Sequence, residues 1–536
     1  MKYGGYTGKV LKIDLSTREI SEYPWTDEDR RLYIGGKIMA AKILYDNLEK
    51  GTDPLGEDNM LVITTGPFSG AAAPCSSRFN ISTLSPMTGF IASSNCGGNF
   101  GLNLKKSGYD ALVLTGKSEE KIWIEIVNEE VQFHSAEELW GKLTGETQAI
   151  LGGKTGKIVI GPAGENLVKF AAIVSEERVA GRAGVGAVMG SKNLKAVVAS
   201  GTIALDLFDK EKTKALNKKW VMAIKAHPLT GIQLPKLGTA GLVSAMNAHK
   251  ILATKNFKKG QYEDFEKISG ELLAEKYLVK NKGCITCPIQ CGRVVEVNGK
   301  AVKGPELETL GLLGSNIENN DIESIFEWNI QLDELGIDTI SAAGTIAFAM
   351  ELQEKGLWDS GLEFGKSDNI SQIFEDIAFR RGIGDLLAEG SKRLSEKFGG
   401  KEYAIHAKGL ELSAYEPRHA VGQGLGYAVS NRGGCHLNGG YLVVLEGLGM
   451  NIDSLTPKAK AELTILFQNL MEAVSACGCC LFTTYPAIPG FLISRPNSII
   501  TRIANKMFTK IGPILGFIDK APAWLLKINL PSIPHP

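Results

Sequence analysis

Three cysteines spaced C-x2-C-x3-C, namely Cys284, Cys287 and Cys291, stand in Gly283-Cys284-Ile285-Thr286-Cys287-Pro288-Ile289-Gln290-Cys291-Gly292-Arg293 near the middle of the chain. Thiols gathered on so short a loop suit a soft metal centre. An iron–sulfur cubane or a tetrahedral zinc normally takes four ligands, so a fourth must come from elsewhere. Cys477, Cys479 and Cys480 in Ser475-Ala476-Cys477-Gly478-Cys479-Cys480-Leu481-Phe482 form the obvious pool. The late part of the chain is therefore expected to fold back onto the middle. A radical-SAM centre is disfavoured, because its loop reads C-x3-C-x2-C.

Other residues capable of chemistry lie in glycine-rich tracts. Pro74-Cys75-Ser76-Ser77-Arg78-Phe79 and Ser93-Ser94-Asn95-Cys96-Gly97-Gly98-Asn99-Phe100-Gly101 combine backbone that can approach a ligand closely with one forked cation. The plainer reading is that both are tight turns of a large β domain. Arg178 to Lys192 contains a G-x-G-x-x-x-G run, but no strand is read before it, so a dinucleotide site is disfavoured. Asp333-Glu334-Leu335-Gly336-Ile337-Asp338 places two carboxylates at one helix-to-helix corner, where Asp338 on its own reads as an N-cap. Tyr415 to His436 is a further glycine-rich, polar tract.

The elements that must position these residues follow from hydrophobic period. Residues 1–205 read as β-rich, with Val10–Leu15 alternating and Leu61–Thr64 and Lys157–Ile160 as short apolar runs. From about 206 the pattern turns helical, with helices expected over Asp321–Leu335, from Asp338 to about Met350, within 371–399, and over Ala461–Val474.

The chain is 536 residues long, enough for about two to four domains. Lys plus Arg and Asp plus Glu both number 59, which argues against a nucleic-acid-coating surface. Nine cysteines, odd in number and clustered, fit metal ligation in a reducing compartment better than a disulfide framework, so a cytoplasmic location is expected. No apolar run reaches the roughly 18 residues of a membrane span, Ile511–Leu530 being broken by Pro513, Asp519, Lys520 and Pro522.

Over essentially its whole length the sequence resembles the tungsten-dependent aldehyde:ferredoxin oxidoreductases. The matching motifs occur in order: Tyr6-Thr7-Gly8-Lys9-Val10-Leu11, Gly35-Gly36-Lys37, Asp53-Pro54-Leu55-Gly56, Ser77-Arg78-Phe79, Gly186–Lys192, the cysteine loop, Asp333-x-x-Gly336-Ile337-Asp338-Thr339-Ile340-Ser341 and Asn431-Arg432-Gly433. The resemblance implies an α+β multidomain fold. A β-rich N-terminal base domain (1–206) would be followed by two mainly α-helical domains, 207–410 with the cysteine loop and first pterin corner, and 411–536 with the fourth cysteine and second corner. It further implies tungsten or molybdenum held by two pterins, a [4Fe–4S] cluster on Cys284, Cys287, Cys291 and Cys480, and Mg²⁺ bridging the pterin phosphates near Asn95 and Gly97. Arg78 would lie between cluster and pterin, with Arg182 and Ala183 in the phosphate cradle. Asp333, Ile337 and Asp338 would serve one pterin, and Ser475 and Cys479 the other, with the Cys477 and Cys479 thiols outside the cluster.

Glu308 is expected as general base towards the water that supplies the oxygen, with Glu306 as its substitute if the register shifts, and His436 as partner of the substrate carbonyl or proton relay. Substrate and redox partner would be a small aldehyde or carboxylate and ferredoxin. A homodimer or a subunit of a larger redox complex is expected; Glu327 matches one ligand of an interfacial metal but lacks a histidine partner. Two departures stand out: Ser475 occupies a position usually held by aspartate, and the family usually continues past Pro536, so a truncated C-terminus is expected. Two other readings remain open. One is the metal–pterin subunit of a ring-reducing or electron-bifurcating complex; the other is an iron–sulfur carrier or scaffold without the pterin.

Overall fold

The computed structural model describes residues 3–439, 442–448, 452–508 and 510. Its base is built from two six-stranded sheets. The first contains β1 (Val10–Asp14), β2 (Ile20–Glu22), β3 (Leu61–Thr64), β4 (Phe79–Leu84), β5 (Ile91–Cys96) and β6 (Ala111–Thr115), in the order β2-β1-β6-β3-β4-β5. The second contains β7 (Ile122–Val127), β8 (Glu130–Ser135), β9 (Gly156–Ile160), β10 (Ile173–Ser175), β11 (Arg178–Ala180) and β12 (Leu194–Ser200), in the order β11-β10-β9-β12-β7-β8. Renumbering β7–β12 as a second β1–β6 gives the same order. The directions agree too: β1/β6 and β7/β12 are parallel, and every other neighbouring pair in both sheets is antiparallel. The base is thus an internal repeat.

Strand alternation explains how the layers stack. Leu11 and Ile13 of β1, Ile63 of β3, Ile81 of β4 and Leu112 and Leu114 of β6 meet Ile122, Ile124 and Ile126 of β7, Ile158 and Ile160 of β9 and Val197 of β12 in one buried cluster. The intervening residues point the other way. Val10, Val62, Ala111 and Val113 pack on Met39, Ala40, Ile43 and Leu44 of helix α1 (Gly36–Asn47). Each such buried side chain contributes roughly 1.5–3 kcal/mol, so this alternation fixes the register of both faces.

A short helix, α2 (Val185–Ser191), follows β11. The strand β11 corrects the sequence reading, which placed no strand before this glycine run. It pairs antiparallel with β10, however, so no parallel β-α-β unit for a dinucleotide forms.

Helices dominate after residue 206, with two small sheets the sequence did not reveal, one of them a two-stranded pairing of His406–Ala407 with Leu410–Glu411. The cysteine loop sits between β13 (Leu278–Lys282) and β14 (Gly292–Val297), which with β15 (Lys300–Lys303) form a three-stranded antiparallel sheet. Helix α3 (Leu307–Leu313) follows, then α4 (Ile322–Leu335) and α5 (Thr339–Glu354). Residues along the whole circumference of α5 are buried, as an almost uniformly apolar helix requires. The glycine-rich tract after Tyr415 contains α6 (Val421–Val429). Its glycines are there for proximity: a Cβ on Gly426 would lie 2.0 Å from the Gly439 carbonyl. Helix α7 (Lys460–Ala476) then leads to the late cysteines. Among the described residues no helix is long and apolar enough to cross a membrane.

Candidate active site

Two helix ends are held on the base by the same set of bonds. At the end of α4, Gly336 takes φ +73°, and the Gly336 and Ile337 amides donate to the carbonyls of Asp333 (3.2 Å) and Leu332 (2.9 Å). At the end of α7, Gly478 takes φ +81°, and the Gly478 and Cys479 amides donate to Ser475 (3.0 Å) and Val474 (3.1 Å). Both are left-handed glycine terminations that satisfy the last carbonyls of a helix. Each then docks on the segment that leads into an equivalent strand of the repeat, β10 for the first corner and β4 for the second. Asp338 N–H donates to Phe170 and Gly336 C=O accepts from Ala172, while Cys480 N–H donates to Cys75 and Gly478 C=O accepts from Arg78. Asp333 and Ser475 therefore occupy corresponding positions, as do Asp338 and Cys480. The approach is close enough to demand glycine on the base: a Cβ on Gly161 would lie 2.4 Å from Leu335 O, and one on Gly66 2.1 Å from the Cys477 carbonyl carbon.

A cavity opens beside each corner. The larger, about 290 Å³, is lined by Arg78, Asn95, Gly97, Arg182, Glu308, Asp333, Ile337, Asp338 and His436 together with Cys284, Cys287, Cys291 and Cys480. The smaller, about 90 Å³, is lined by Ser475 and Cys479 with Lys37, Ser93, Arg432 and Asn438. Arg78, Asn95, Leu437, Cys480 and Leu481 face both. The space is thus one pair of chambers with Arg78 and Cys480 in the shared wall.

The sequence-distant Cys480 does join the cysteine loop. Arg78 Nη2 lies 3.5 Å from Cys480 Sγ, and burial pushes the Cys480 thiol up against the opposing pull of Arg78. Among the described residues no three Cys, His, Asp or Glu side chains approach closely enough to share one ion. Four thiols around a cavity rather than a point suit a cluster better than a single tetrahedral zinc, whose thiolates sit only about 2.3 Å from the metal. Gly97 stands against this group, a Cβ there falling 3.0 Å from Cys284 Sγ. Sequence reasoning overlooked a fifth thiol: Cys75 Sγ lies 3.5 Å from Cys287 Sγ. Either sulfur can donate in this contact; once Cys287 is a metal-bound thiolate, only Cys75 carries a proton to give.

Glu308 and His436 meet across the larger cavity. Glu308 projects from the first turn of α3, and its Oε2 accepts the Ala414 N–H at 2.7 Å. Its Oε1 lies 3.6 Å from His436 Nδ1, which is also 2.7 Å from Ser413 Oγ. Burial raises the Glu308 pKa to about 7 despite the Ala414 amide and Arg182. Burial, Arg432 and Arg182 lower that of His436 to about 3, so the imidazole is neutral and the pair is not an ion pair. A carboxyl that titrates near neutrality beside a neutral imidazole can accept a proton and return it. Glu306 is exposed at the cavity rim, 3.4 Å from Arg178, and is the poorer candidate.

Arg182 ties the corner together: it donates to Asp338 Oδ2 (2.8 Å), Ser341 Oγ (3.2 Å), Gly434 O (2.9 Å) and Glu411 O. Asp338 also caps α5 through Ile340 N–H, so its plain N-cap role is real. Asp333 accepts from Lys303 Nζ at 2.6 Å, and burial raises its pKa against that cation. At the corresponding corner the buried Ser475 Oγ has no hydrogen-bond partner among the described residues. One turn earlier on α7, Glu472 pairs with Lys37 at 2.5 Å, so a lysine–carboxylate pair stands near each corner.

Three expected residues sit differently. Asn95 belongs to β5 rather than to a loop. Ala183, at φ +71°, is buried with its carbonyl accepting from Ser85 Oγ and lines neither cavity. Glu327 lies in a separate groove, bonded to Asn298. The expected truncation beyond Pro536 concerns a terminus outside the described residues. Lys37, Lys303, Arg178 and Arg432 carried no motif of their own chemistry, although Lys37 and Arg432 stood in quoted family motifs.

Comparison with known proteins agrees with this geometry. Residues 10–201 match the N-terminal domain model of aldehyde ferredoxin oxidoreductase and residues 215–507 match its domains 2 and 3. The chain is 43% identical over 501 residues to a tungsten-containing aldehyde ferredoxin oxidoreductase of Thermococcus kodakarensis, covering 90% of this chain and 82% of the relative. It is 44% identical, with the same coverage, to that of Pyrococcus furiosus. An aliphatic sulfonate oxidoreductase, WOR-like subunit, of Pyrococcus furiosus is 31% identical, with 80% and 75% covered. The active site complex BamBC of benzoyl coenzyme A reductase superposes with TM-score 0.70 at 29% identity, covering 77% of this chain and 66% of that one. With two domain models spanning most of its length and such relatives, the chain belongs to the aldehyde ferredoxin oxidoreductase family.

Proposed function

We propose that the chain is an oxidoreductase interconverting aldehydes and carboxylic acids, with ferredoxin as its electron partner. The observation that carries the reading is the repeat: two sheets of identical order, each holding one helix corner by the same backbone bonds, with Cys480 and Arg78 in the wall between the chambers and Cys284, Cys287 and Cys291 lining the larger one. Such a frame suits two copies of one flat cofactor flanking a common centre, and the partnerless Ser475 Oγ suits a ring N–H donor. Cys284, Cys287, Cys291 and Cys480 would hold a [4Fe–4S] cluster. Asp333, Ile337, Asp338 and Arg182 would serve one pterin and Ser475 and Cys479 the other, with Asn95 and Gly97 near a Mg²⁺ between the phosphates. The names of the close relatives favour tungsten over molybdenum. When bound, the metal centre supplies two-electron oxidation and the cluster passes electrons on singly.

The side chains supply the proton chemistry. Oxidation of an aldehyde adds one oxygen from water, removes two electrons and releases protons. Glu308 takes a proton from that water at Oε1, and the neutral His436 donates its one N–H to the carbonyl oxygen as it gains negative charge. The gap between the two family-model matches, from residue 201 to 215, supports a first domain ending at 206; the helical part would divide at 410. Anaerobically purified protein should reduce a viologen dye when an aldehyde is added; absence of reduction across short aliphatic and aromatic aldehydes would argue against the activity.

A second reading, the catalytic subunit of a larger redox complex, is supported by the likeness to the BamBC complex and to a WOR-like subunit. Native-mass analysis after purification from the source cells separates the two: co-purifying iron–sulfur or flavin subunits would favour it.

A further inference from the structure

We propose that Cys75 is a fifth thiol of the iron–sulfur centre: not a ligand but a hydrogen-bond donor to the Cys287 sulfur that raises the reduction potential of the cluster. The inference rests on the cluster assignment to Cys284, Cys287, Cys291 and Cys480.

Four observations support it. Cys75 is 2% exposed, and its Sγ lies 3.5 Å from Cys287 Sγ, within reach of an S–H···S bond. It lines the same cavity as the four ligand cysteines. Its backbone joins both halves of the ligand set: its N–H donates to Thr286 O, one residue before Cys287, and its carbonyl accepts from Cys480 N–H. It also adopts φ +60°, a left-handed conformation that a non-glycine residue holds only where its surroundings impose it. The thiol is therefore fixed against one ligand rather than swinging freely.

The physical consequence has a definite sign. Reduction adds one electron to the cluster and spreads negative charge onto its cysteine sulfurs. A donor aimed at one of those sulfurs stabilises the reduced form more than the oxidised form, and such bonds are among the recognised determinants of cluster potential. A bond to a charged acceptor is worth enough that the difference between the two redox states amounts to about tenfold in the reduction equilibrium, or about 59 mV for one electron. Arg78, 3.5 Å from Cys480, acts in the same direction from the other side. This centre then has a neutral donor and a cation on different ligands.

The test is a reductive titration of anaerobically purified holoenzyme, followed by the electron paramagnetic resonance signal of the reduced cluster, for the native protein, Cys75→Ala and Cys75→Ser. The expected result is an unchanged iron content in both variants, a potential about tenfold harder to reduce in Cys75→Ala, and a near-native potential in Cys75→Ser, whose hydroxyl still donates. An unchanged potential in Cys75→Ala with full iron content would overturn the proposal. Loss of iron from Cys75→Ala but not from Cys287→Ala would overturn it in favour of Cys75 as a ligand. Native protein without cluster iron would instead refute the cluster assignment itself, so the two failures are distinguishable.

Discussion

Replacing Glu308 by glutamine removes the proposed proton acceptor while keeping its shape and its bond from Ala414 N–H. Loss of a positioned general base costs about 10²–10⁴ in turnover. A second effect follows from the raised pKa. The folded protein holds the Glu308 proton up to about pH 7, whereas an unfolded chain releases it near 4.5. Folding is therefore favoured most below pH 4.5, and that advantage is lost as pH rises towards 7. The shift from 4.5 to about 7 corresponds to roughly 3 kcal/mol of stability lost above neutrality. Glutamine cannot ionise, so E308Q should be the more stable protein at pH 8, by up to about 3 kcal/mol less the weaker bond an amide oxygen accepts from Ala414. At pH 4 the two should be nearly equal. Stopped-flow dye reduction against pH gives the first effect, where native turnover should rise through about pH 7 and that limb should vanish in the variant. Denaturant titrations of the cofactor-free chains at pH 4 and 8 give the second. Unchanged turnover with unchanged metal content would remove Glu308 from the role of base, and equal stability at pH 8 would show that its carboxyl is not desolvated in the folded chain.

Other substitutions probe the frame. Ser475→Ala should shift the stability of the cofactor-free chain by less than about 0.5 kcal/mol, because its Oγ has no partner among the described residues, yet lower the pterin retained after gel filtration. Gly66→Ala forces a Cβ into the Cys477 backbone at 2.1 Å and should cost about 3 kcal/mol or more, read as a fall in melting temperature with loss of both cofactors. Asp338→Asn leaves the buried Arg182 without its carboxylate and should cost about 3–5 kcal/mol in a chemical melt.

The corners were legible because turn chemistry is local. D-x-x-G-x-D states a glycine-terminated helix and an N-cap in six residues, and Asp333, Gly336 and Asp338 take those places. The repeat was not legible, because Val-Leu-Lys-Ile-Asp of β1 and Ile-Trp-Ile-Glu-Ile-Val of β7 share only an alternation that countless strands share. The β13–β15 sheet escaped notice because β13 is lysine-rich and mostly exposed. Helix α6 was hidden by its glycines, which oppose helix formation in isolation; Gly426 is required here by its close approach to Gly439. Cys75 lay in a tract already marked as unusual, but one cysteine in sequence says nothing of which thiol it will touch.

The central claim is that the repeated base holds two pterins around one heavy metal, with a cubane in the larger chamber reaching the dividing wall at Cys480. Elemental and pterin analysis of anaerobically purified protein tests it most directly. The account predicts about four irons, one tungsten or molybdenum and two pterins per chain; four irons with neither heavy metal nor pterin would contradict it and leave an iron–sulfur carrier.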